Sequence, residues 1–327
     1  MSAPEITVLM TVYNEERFLR QAIDSILAQT YPHFELLVVD DASTDDSPAI
    51  LASYTDPRVR VVTNEENMGC PRSSNRGLSL ARGRYIARMD ADDIAFPNRL
   101  EVQHAFMERH PDIDLVGSSN EVIDEQGEVI GAWRGQFGPE TVYYLLNFRN
   151  CLTHSTVMFR KEFAETIGGY NEGVKWALDY DFYHRASKAG KLYRMDEVLV
   201  QWRSMPAKSE EKSCGQKETV YAVLRDNFSR LKVGEVDEAT LAILNNHKIL
   251  SERSFSQKEI EQAFSTLLGS NMAIMKTAPA LYSRFSMLGV MTAYSLSFMH
   301  RILSSRGMVP FVQTCCAVLG GNASPSD

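Results

Sequence analysis

Short apolar runs, most of them ending in clusters of oxygen-bearing side chains, dominate the first ninety residues and leave few folds open. Residues 6–12, 36–39, 59–62 and 85–89 are apolar enough to form buried strands. Between the first two, residues 16–29 carry Leu19, Ala22, Ile23, Ile26 and Leu27 at helical spacing, and residues 47–54 and 71–81 also suit helices. Buried strands alternating with helices predict parallel crossovers and an α/β fold with a mostly parallel central sheet flanked by helices. Ligands of such sheets gather beyond the carboxyl ends of the strands. Thr11-Val12-Tyr13-Asn14-Glu15, Asp40-Asp41 and Asp90-Ala91-Asp92-Asp93 stand at those ends. Clusters remote along the chain are therefore expected to meet at one rim.

The chain has 327 residues, enough for one large domain or for a main domain with a smaller appendage. Its net charge of −8 argues against nonspecific nucleic-acid binding, which needs a basic footprint. An anionic substrate stays compatible, because a bound divalent cation reverses the local sign. The five cysteines are odd in number, scattered and without a CxxC pair, which argues against a disulfide framework or a structural zinc site. The opening MSAPEITVLM is not read as a signal peptide, and no run reaches the roughly 18 apolar residues of a spanning helix. A reducing, cytoplasmic setting is expected, with peripheral contact at the inner face of a membrane left open.

Residues 115–116, 122–123, 129–130, 156–159 and 198–202 read as short strands that extend the first sheet as a mixed one. After about residue 205 the pattern turns helical, with 208–212 a charged linker and 220–231, 241–250, 260–268 and 282–303 helical. The expected organisation is a domain over 1–207, with halves at 1–113 and 114–207, and a helical C-terminal region over 208–327 of unknown role. The segment 282–303 is apolar over more than one stripe and lies beside Arg284, His300, Arg301 and Arg306. Core packing is the first reading and a membrane surface the second.

Each polar cluster carries two readings. Asp90-Ala91-Asp92-Asp93 is either a solvated acidic loop or a hard-oxygen site for Mn²⁺ or Mg²⁺ that shares the ion with phosphate. Asp40-Asp41 either starts a tight turn or accepts a hydrogen bond from a nucleobase N–H or a ribose hydroxyl. Asp179 either caps the helix that follows or serves as a general base, and one residue can do both. His154 is a structural histidine or a site residue. Arg72 and Arg203 either pair with phosphate or form surface ion pairs. Trp176 and Trp202 either stack on a sugar or belong to the core.

The motifs also carry a resemblance. Val8-Leu9-Met10-Thr11-Val12-Tyr13-Asn14-Glu15, Val38-Val39-Asp40-Asp41-Ala42-Ser43-Thr44-Asp45 and Asn67-Met68-Gly69 resemble, in order, those of family-2 glycosyltransferases with the Rossmann-like GT-A fold. Asn75-Arg76-Gly77-Leu78, the run Ala81 to Asp93, His154 to Arg160, Gly168-Gly169-Tyr170 and Asp179-Tyr180-Asp181 continue the series. The resemblance spans about 6–203 and implies an inverting transferase. A nucleotide diphosphate sugar, uracil-linked for preference, would donate to a hydroxyl of a saccharide or lipid-linked saccharide. It implies that Thr11 and Tyr13 line the base pocket with Glu15 close by, that Asp41 accepts from the base, and that Asp90 lies near the ribose. It further implies that Asp92 binds the metal and that Asp179 is the base, with Arg72, His154 and Arg203 on the donor side.

Two positions depart from the family. Leu178 stands where Glu often precedes the catalytic Asp, and Ser74 stands where many members carry Arg before the Asn matching Asn75. A polyprenyl-phosphate transferase and a catalytically silent nucleotide-sugar binder are alternatives to the main reading. A nicotinamide-dependent dehydrogenase is disfavoured, since no GxGxxG follows the first strand.

Overall fold

The computed structural model describes residues 4–205, 210–232 and 236–245, with positions 262, 263, 266 and 270 beyond them. The chain divides into two units, Met1–Val223 and Leu224–Asp327.

The first unit opens as the periodicity predicts. In chain order come β1 (Ile6–Val12), α1 (Leu19–Leu27), β2 (Phe34–Asp40), α2 (Ser47–Ala52), β3 (Val59–Thr63), α3 (Cys70–Leu80) and β4 (Tyr85–Asp90). The four strands are parallel in the order β3-β2-β1-β4. Their register positions the site: Thr11 lies opposite both Val39 and Asp90, and Val12 opposite Asp40. The polar clusters after these strands thus fall at one edge of the sheet.

Both faces of β1 are buried, which explains why its residues are mostly apolar. Val8, Met10 and Val12 pack with Leu19, Ala22, Ile23 and Ile26 of α1 and with Ala87 and Met89. Leu9 faces the other way, onto α3, where a Cβ on Gly77 would lie 2.2 Å from its Cδ1. Strand alternation places Thr11 on the Leu9 face, and the register places Arg88 and Asp90 there with it.

The chain continues through β5 (Ile94–Ala95), α4 (Arg99–Arg109), β6 (Leu115–Ile123), β7 (Val129–Trp133) and α5 (Pro139–Leu146). A 3-10 turn (His154–Thr156), β8 (Met158–Arg160), α6 (Lys161–Thr166), α7 (Leu178–Ala189) and β9 (Leu192–Arg203) follow. Antiparallel β8 bridges β4 and β6, β6 runs parallel to β9, and β5 and β7 add antiparallel edges. The sheet is therefore parallel in its first half and mixed in its second.

Several expected boundaries need correction. Segments 115–116 and 122–123 are parts of one strand, β6, because the polar residues between them are buried and bonded internally. Asn120 accepts from Thr153 Oγ1 at 2.9 Å, and the β6–β9 register shifts between Gly117 and Asn120. The expected strand 156–159 is the end of the 3-10 turn followed by β8. Glu210 to Lys212, read as linker, open α8 (Glu210–Arg230).

In the second unit, Leu224 and Phe228 of α8 are buried, and α9 (Glu238–Asn245) opens on Asp237, whose carboxylate accepts from the Thr240 amide at 2.8 Å. Segment 282–303 and most of 246–268 lie outside the described residues. Among the described residues no helix is long and apolar enough to cross a membrane.

Candidate active site

The loops after β1 and β2 are zipped together by the side chains that make up the two motifs. Asn14 and Ala42 each adopt a left-handed backbone, with φ of 53° and 59°. Asn14 Oδ1 accepts from the Thr44 amide at 2.8 Å, and Ser43 Oγ accepts from the Asn14 amide at 3.1 Å. The Glu15 and Glu16 amides donate to Ser47 Oγ and Asp45 Oδ2. Asp40 is buried and accepts from the Ser43 amide at 3.1 Å, which is turn chemistry.

Asp41 does more. Its Oδ1 accepts from Asn64 Nδ2 at 2.6 Å and from the Met68 amide at 2.9 Å, and its Oδ2 from the Gly69 amide at 2.9 Å. Asp41 thereby anchors the loop that leads into α3. A carboxylate offers about four acceptor sites, so Oδ2 keeps capacity for one further donor. Tyr13 stands 46% exposed on this rim. Half-buried Thr11 has its hydroxyl 3.5 Å from Cys70 Sγ.

The acidic cluster after β4 splits into distinct roles. Asp93 is buried, accepts from Ser155 Oγ, and accepts from the Arg203 amide at 2.7 Å. Burial, then the charges of Asp92 and Asp90, push its carboxyl well above the usual range. It ties β4 to the 3-10 turn and to β9. Asp90 accepts from His154 Nδ1 at 3.0 Å and from Arg88 Nη2 at 3.4 Å. Burial raises its pKa, but the His154 ring and the Arg88 guanidinium outweigh that and hold it well below the usual carboxylate range. Asp92 is half-buried next to them.

His154 is held by its neighbours in one tautomer. Arg88 Nε, which can only donate, lies 3.2 Å from Nε2, and the Tyr170 hydroxyl lies 3.0 Å from the same nitrogen. Nε2 is therefore the acceptor, and Nδ1 carries the proton given to Asp90.

Asp179 lies inside the first turn of α7, so it is not the cap. That position belongs to Ala177, at φ 50°. Asn150, from the loop after α5, donates to Asp179 Oδ2 at 2.8 Å. Burial raises the Asp179 pKa and the Asp90 charge adds to it, while the His154 ring and the Asn150 amide oppose the rise. The result is a carboxylate more basic than an ordinary Asp.

These groups form one connected chain of contacts. Asp41 holds the amide of Gly69, the next residue Cys70 touches Thr11, and Thr11 accepts from Arg88 at 3.4 Å. Arg88 holds His154 and Asp90, whose fields reach Asp179. Two of the expected cations stand apart. Arg72 is mostly exposed and pairs with Glu172 at 3.4 Å. Arg203 is buried and spends its nitrogens on Asp92 O, Asp124 O and Gln21 Oε1, with its guanidinium 4.2 Å from the Phe18 ring centre. It braces the acidic loop from behind. Trp202 packs on Trp133, and Trp176 packs against Gly215, so both indoles have protein neighbours.

Sequence reasoning gave no role to Arg88, Asn150, Ser155 or Tyr170. Arg88 had a signal as a charge inside the otherwise apolar run 85–89, and Ser155 and Tyr170 stand inside the ordered motifs, whereas Asn150 had none. Among the described residues, no group of three or more His, Cys, Asp or Glu stands ready to enclose a metal. The donor set fits a hard cation that arrives with a diphosphate, since Mg²⁺-like ions use one or two carboxylates and complete their shells with phosphate and water.

Comparison with known proteins agrees with this architecture. Residues 7–168 match the model of glycosyl transferase family 2. The chain is 38% identical over 208 residues to the putative glycosyltransferase EpsE of Bacillus subtilis, covering 62% of this chain and 74% of that one. It is 33% identical over 231 residues to an uncharacterized glycosyltransferase of Methanocaldococcus jannaschii, covering 68% and 78%. The crystal structure of residues 1–349 of S. aureus TarS, in complex with UDP-GlcNAc, superposes with a TM-score of 0.60 at 18% identity, covering 90% of this chain and 92% of that one. Sheet order, ordered motifs and relatives lead to one assignment: the chain belongs to glycosyltransferase family 2, a transferase with the GT-A fold.

Proposed function

We propose that this transferase moves a sugar from a uracil-linked nucleotide diphosphate donor to an acceptor hydroxyl with inversion, in the synthesis of a cell-surface polysaccharide or glycoconjugate. The observation that carries the reading is Asp179. It is a carboxylate raised by burial, fixed by one amide, and electrostatically coupled to the Asp90–His154 pair. The fold shared with TarS, whose structures hold UDP and UDP-GlcNAc, supports the donor class. Chondroitin synthase of Escherichia coli, 28% identical over 247 residues and covered to 35% of its length, supports a polysaccharide product.

In this reading the open acceptor site on Asp41 Oδ2 takes the base N–H, Tyr13 and Thr11 border the base, and Asp90 accepts from the ribose. Asp92 would hold a divalent cation, Mn²⁺ or Mg²⁺, which supplies charge neutralisation at the departing diphosphate. Asp179 takes the proton of the acceptor hydroxyl as its oxygen bonds to the anomeric carbon. The bond from that carbon to the phosphate oxygen breaks, and the electron pair leaves with the diphosphate. A single displacement needs no second nucleophilic carboxylate. We also propose a cytoplasmic setting with peripheral membrane contact, resting on the cysteine usage and on segment 282–303.

Thermal shift against a panel of nucleotide sugars with Mn²⁺ tests the donor assignment. A donor at 100 times its Kd stabilises by about 2.7 kcal/mol. A shift by uracil nucleotides alone is expected. A panel in which none of them shifts the protein contradicts the proposal.

A further inference from the structure

The residues from Glu128 to Arg134 are all exposed, and those from Val129 to Trp133 form β7. A strand wetted on both faces should be polar, yet β7 reads Val-Ile-Gly-Ala-Trp, without a charge. Val129, Ile130 and Trp133 are 55%, 61% and 49% exposed, Trp133 keeping that exposure although its ring packs on Trp202. Among the described residues β7 pairs with β6 alone, so its outer edge is open. The pairing is bulged: Ile123 faces Val129 and Val122 faces Gly131, which leaves Ile130 opposite no residue of β6. The strands at the two ends of the sheet order, β3 and β5, are guarded by contrast. β5 has two residues, and β3 carries Arg60, bonded to Glu35, while Arg76 donates to Thr63 O. An open edge without such a guard is a template for another strand.

The sequence around β7 is complementary to its own reverse. Two copies paired antiparallel about a two-fold axis through Gly131 set Glu128 opposite Arg134, Val129 opposite Trp133 and Ile130 opposite Ala132, and Gly131 meets its own copy. Each larger side chain thus faces a smaller one, and each charge faces its opposite, twice over by symmetry. Neither Glu128 nor Arg134 makes an ion pair among the described residues, so both charges are free for such a contact. A register slip of one residue sets Glu128 against Trp133 or Arg134 against Val129, so the charges select one register.

We propose that β7 is a docking surface for a second copy of this chain, the two strands joining antiparallel about Gly131 so that one sheet runs through both copies. Covering Val129, Ile130 and Trp133 drives the association, and the paired Glu128 and Arg134 choose the partner and the register. The inference stands apart from the donor reading, since it needs only the open edge and its sequence.

Sedimentation equilibrium of the full chain tests this. Wild type should dimerise, and Glu128→Arg and Arg134→Glu should each raise the dimer Kd at least tenfold, because like charges then face each other twice. An equimolar mixture of the two variants should dimerise within threefold of wild type, since each copy supplies the charge that the other lacks. A wild type that stays monomeric up to about 100 μM overturns the proposal and leaves the edge to another partner. A dimer indifferent to both substitutions, or a mixture no tighter than its components, overturns it as well. Disulfide trapping tests the axis. A Cβ on Gly131 meets nothing nearer than Val122 Cβ at 3.9 Å, so Gly131→Cys should fold. Opposed residues of an antiparallel pair have Cα atoms about 4.5–5.5 Å apart, within disulfide reach. Gly131→Cys should therefore link two copies under mild oxidation, while Ala132→Cys, which faces Ile130, should link no more than wild type. No linkage through Gly131→Cys, or equal linkage through both, overturns the two-fold pairing.

Discussion

At the scale of single residues, three aspartates of the candidate site behave as different chemical species. Asp90 is held ionised by His154 and Arg88, Asp93 is pushed toward its neutral form, and Asp179 is made more basic by burial. The acid limb of kcat/KM should therefore lie above the ordinary Asp value of about 3.9. Asn150→Ala should move it higher, because the amide stabilises the ionised carboxylate. A pH–rate profile of both proteins checks the sign, and a limb that moves down or stays put contradicts it. For stability the linkage runs the other way. A raised carboxyl contributes stability below its unfolded value and loses it as pH rises through the folded one. Asp179→Asn should thus stay folded at neutral pH. Asp93→Ala should not be so mild. It strands the buried Arg203 amide and removes the partner of Ser155, an expected loss of roughly 1–3 kcal/mol in urea denaturation. Asp179 was legible in the sequence as a candidate, but its partner Asn150 was not, because a lone Asn in a loop carries no pattern.

At the scale of elements, legibility followed the chemistry of burial. β1 to β4 and α1 to α3 were readable because their buried positions are apolar. α4 was missed because two of its core-facing residues are Arg99 and Gln103, both fully buried. Arg99 Nη2 donates to Arg88 O at 2.7 Å and Gln103 Nε2 to Thr156 O at 2.7 Å, so polar groups do the packing and the hydrophobic period is masked. β6 was split for the same reason. Close approach of elements is testable at Gly83, where a Cβ would lie 2.4 Å from the Thr7 amide nitrogen and 2.6 Å from the Ile6 carbonyl carbon. Both neighbours are backbone of β1 and cannot rotate away. Gly83→Ala should therefore separate the start of β4 from β1 and cost about 1–3 kcal/mol. A denaturation midpoint equal to wild type would show that the strands yield without cost.

At the scale of the whole molecule, the parallel half of the sheet supplies Thr11, Asp41, Asp90 and Asp92, and the mixed half supplies His154, Asn150 and Asp179. Topology alone predicted the first group, since parallel strands in register deliver their carboxyl ends to one edge. His154 and Asp179 needed the ordered motifs, because the 3-10 turn and the αL entry to α7 have no periodic signature, and Asn150 had no signal at all. The central claim is that these carboxylates, far apart in sequence, form one transfer site in which Asp179 is the base. Its most direct test compares wild type and Asp179→Asn for nucleoside diphosphate release from the donor in the presence of acceptor, with UDP affinity measured on the same samples. The account predicts a rate loss of about a hundredfold or more with UDP affinity within threefold. A variant that transfers at the wild-type rate would contradict it.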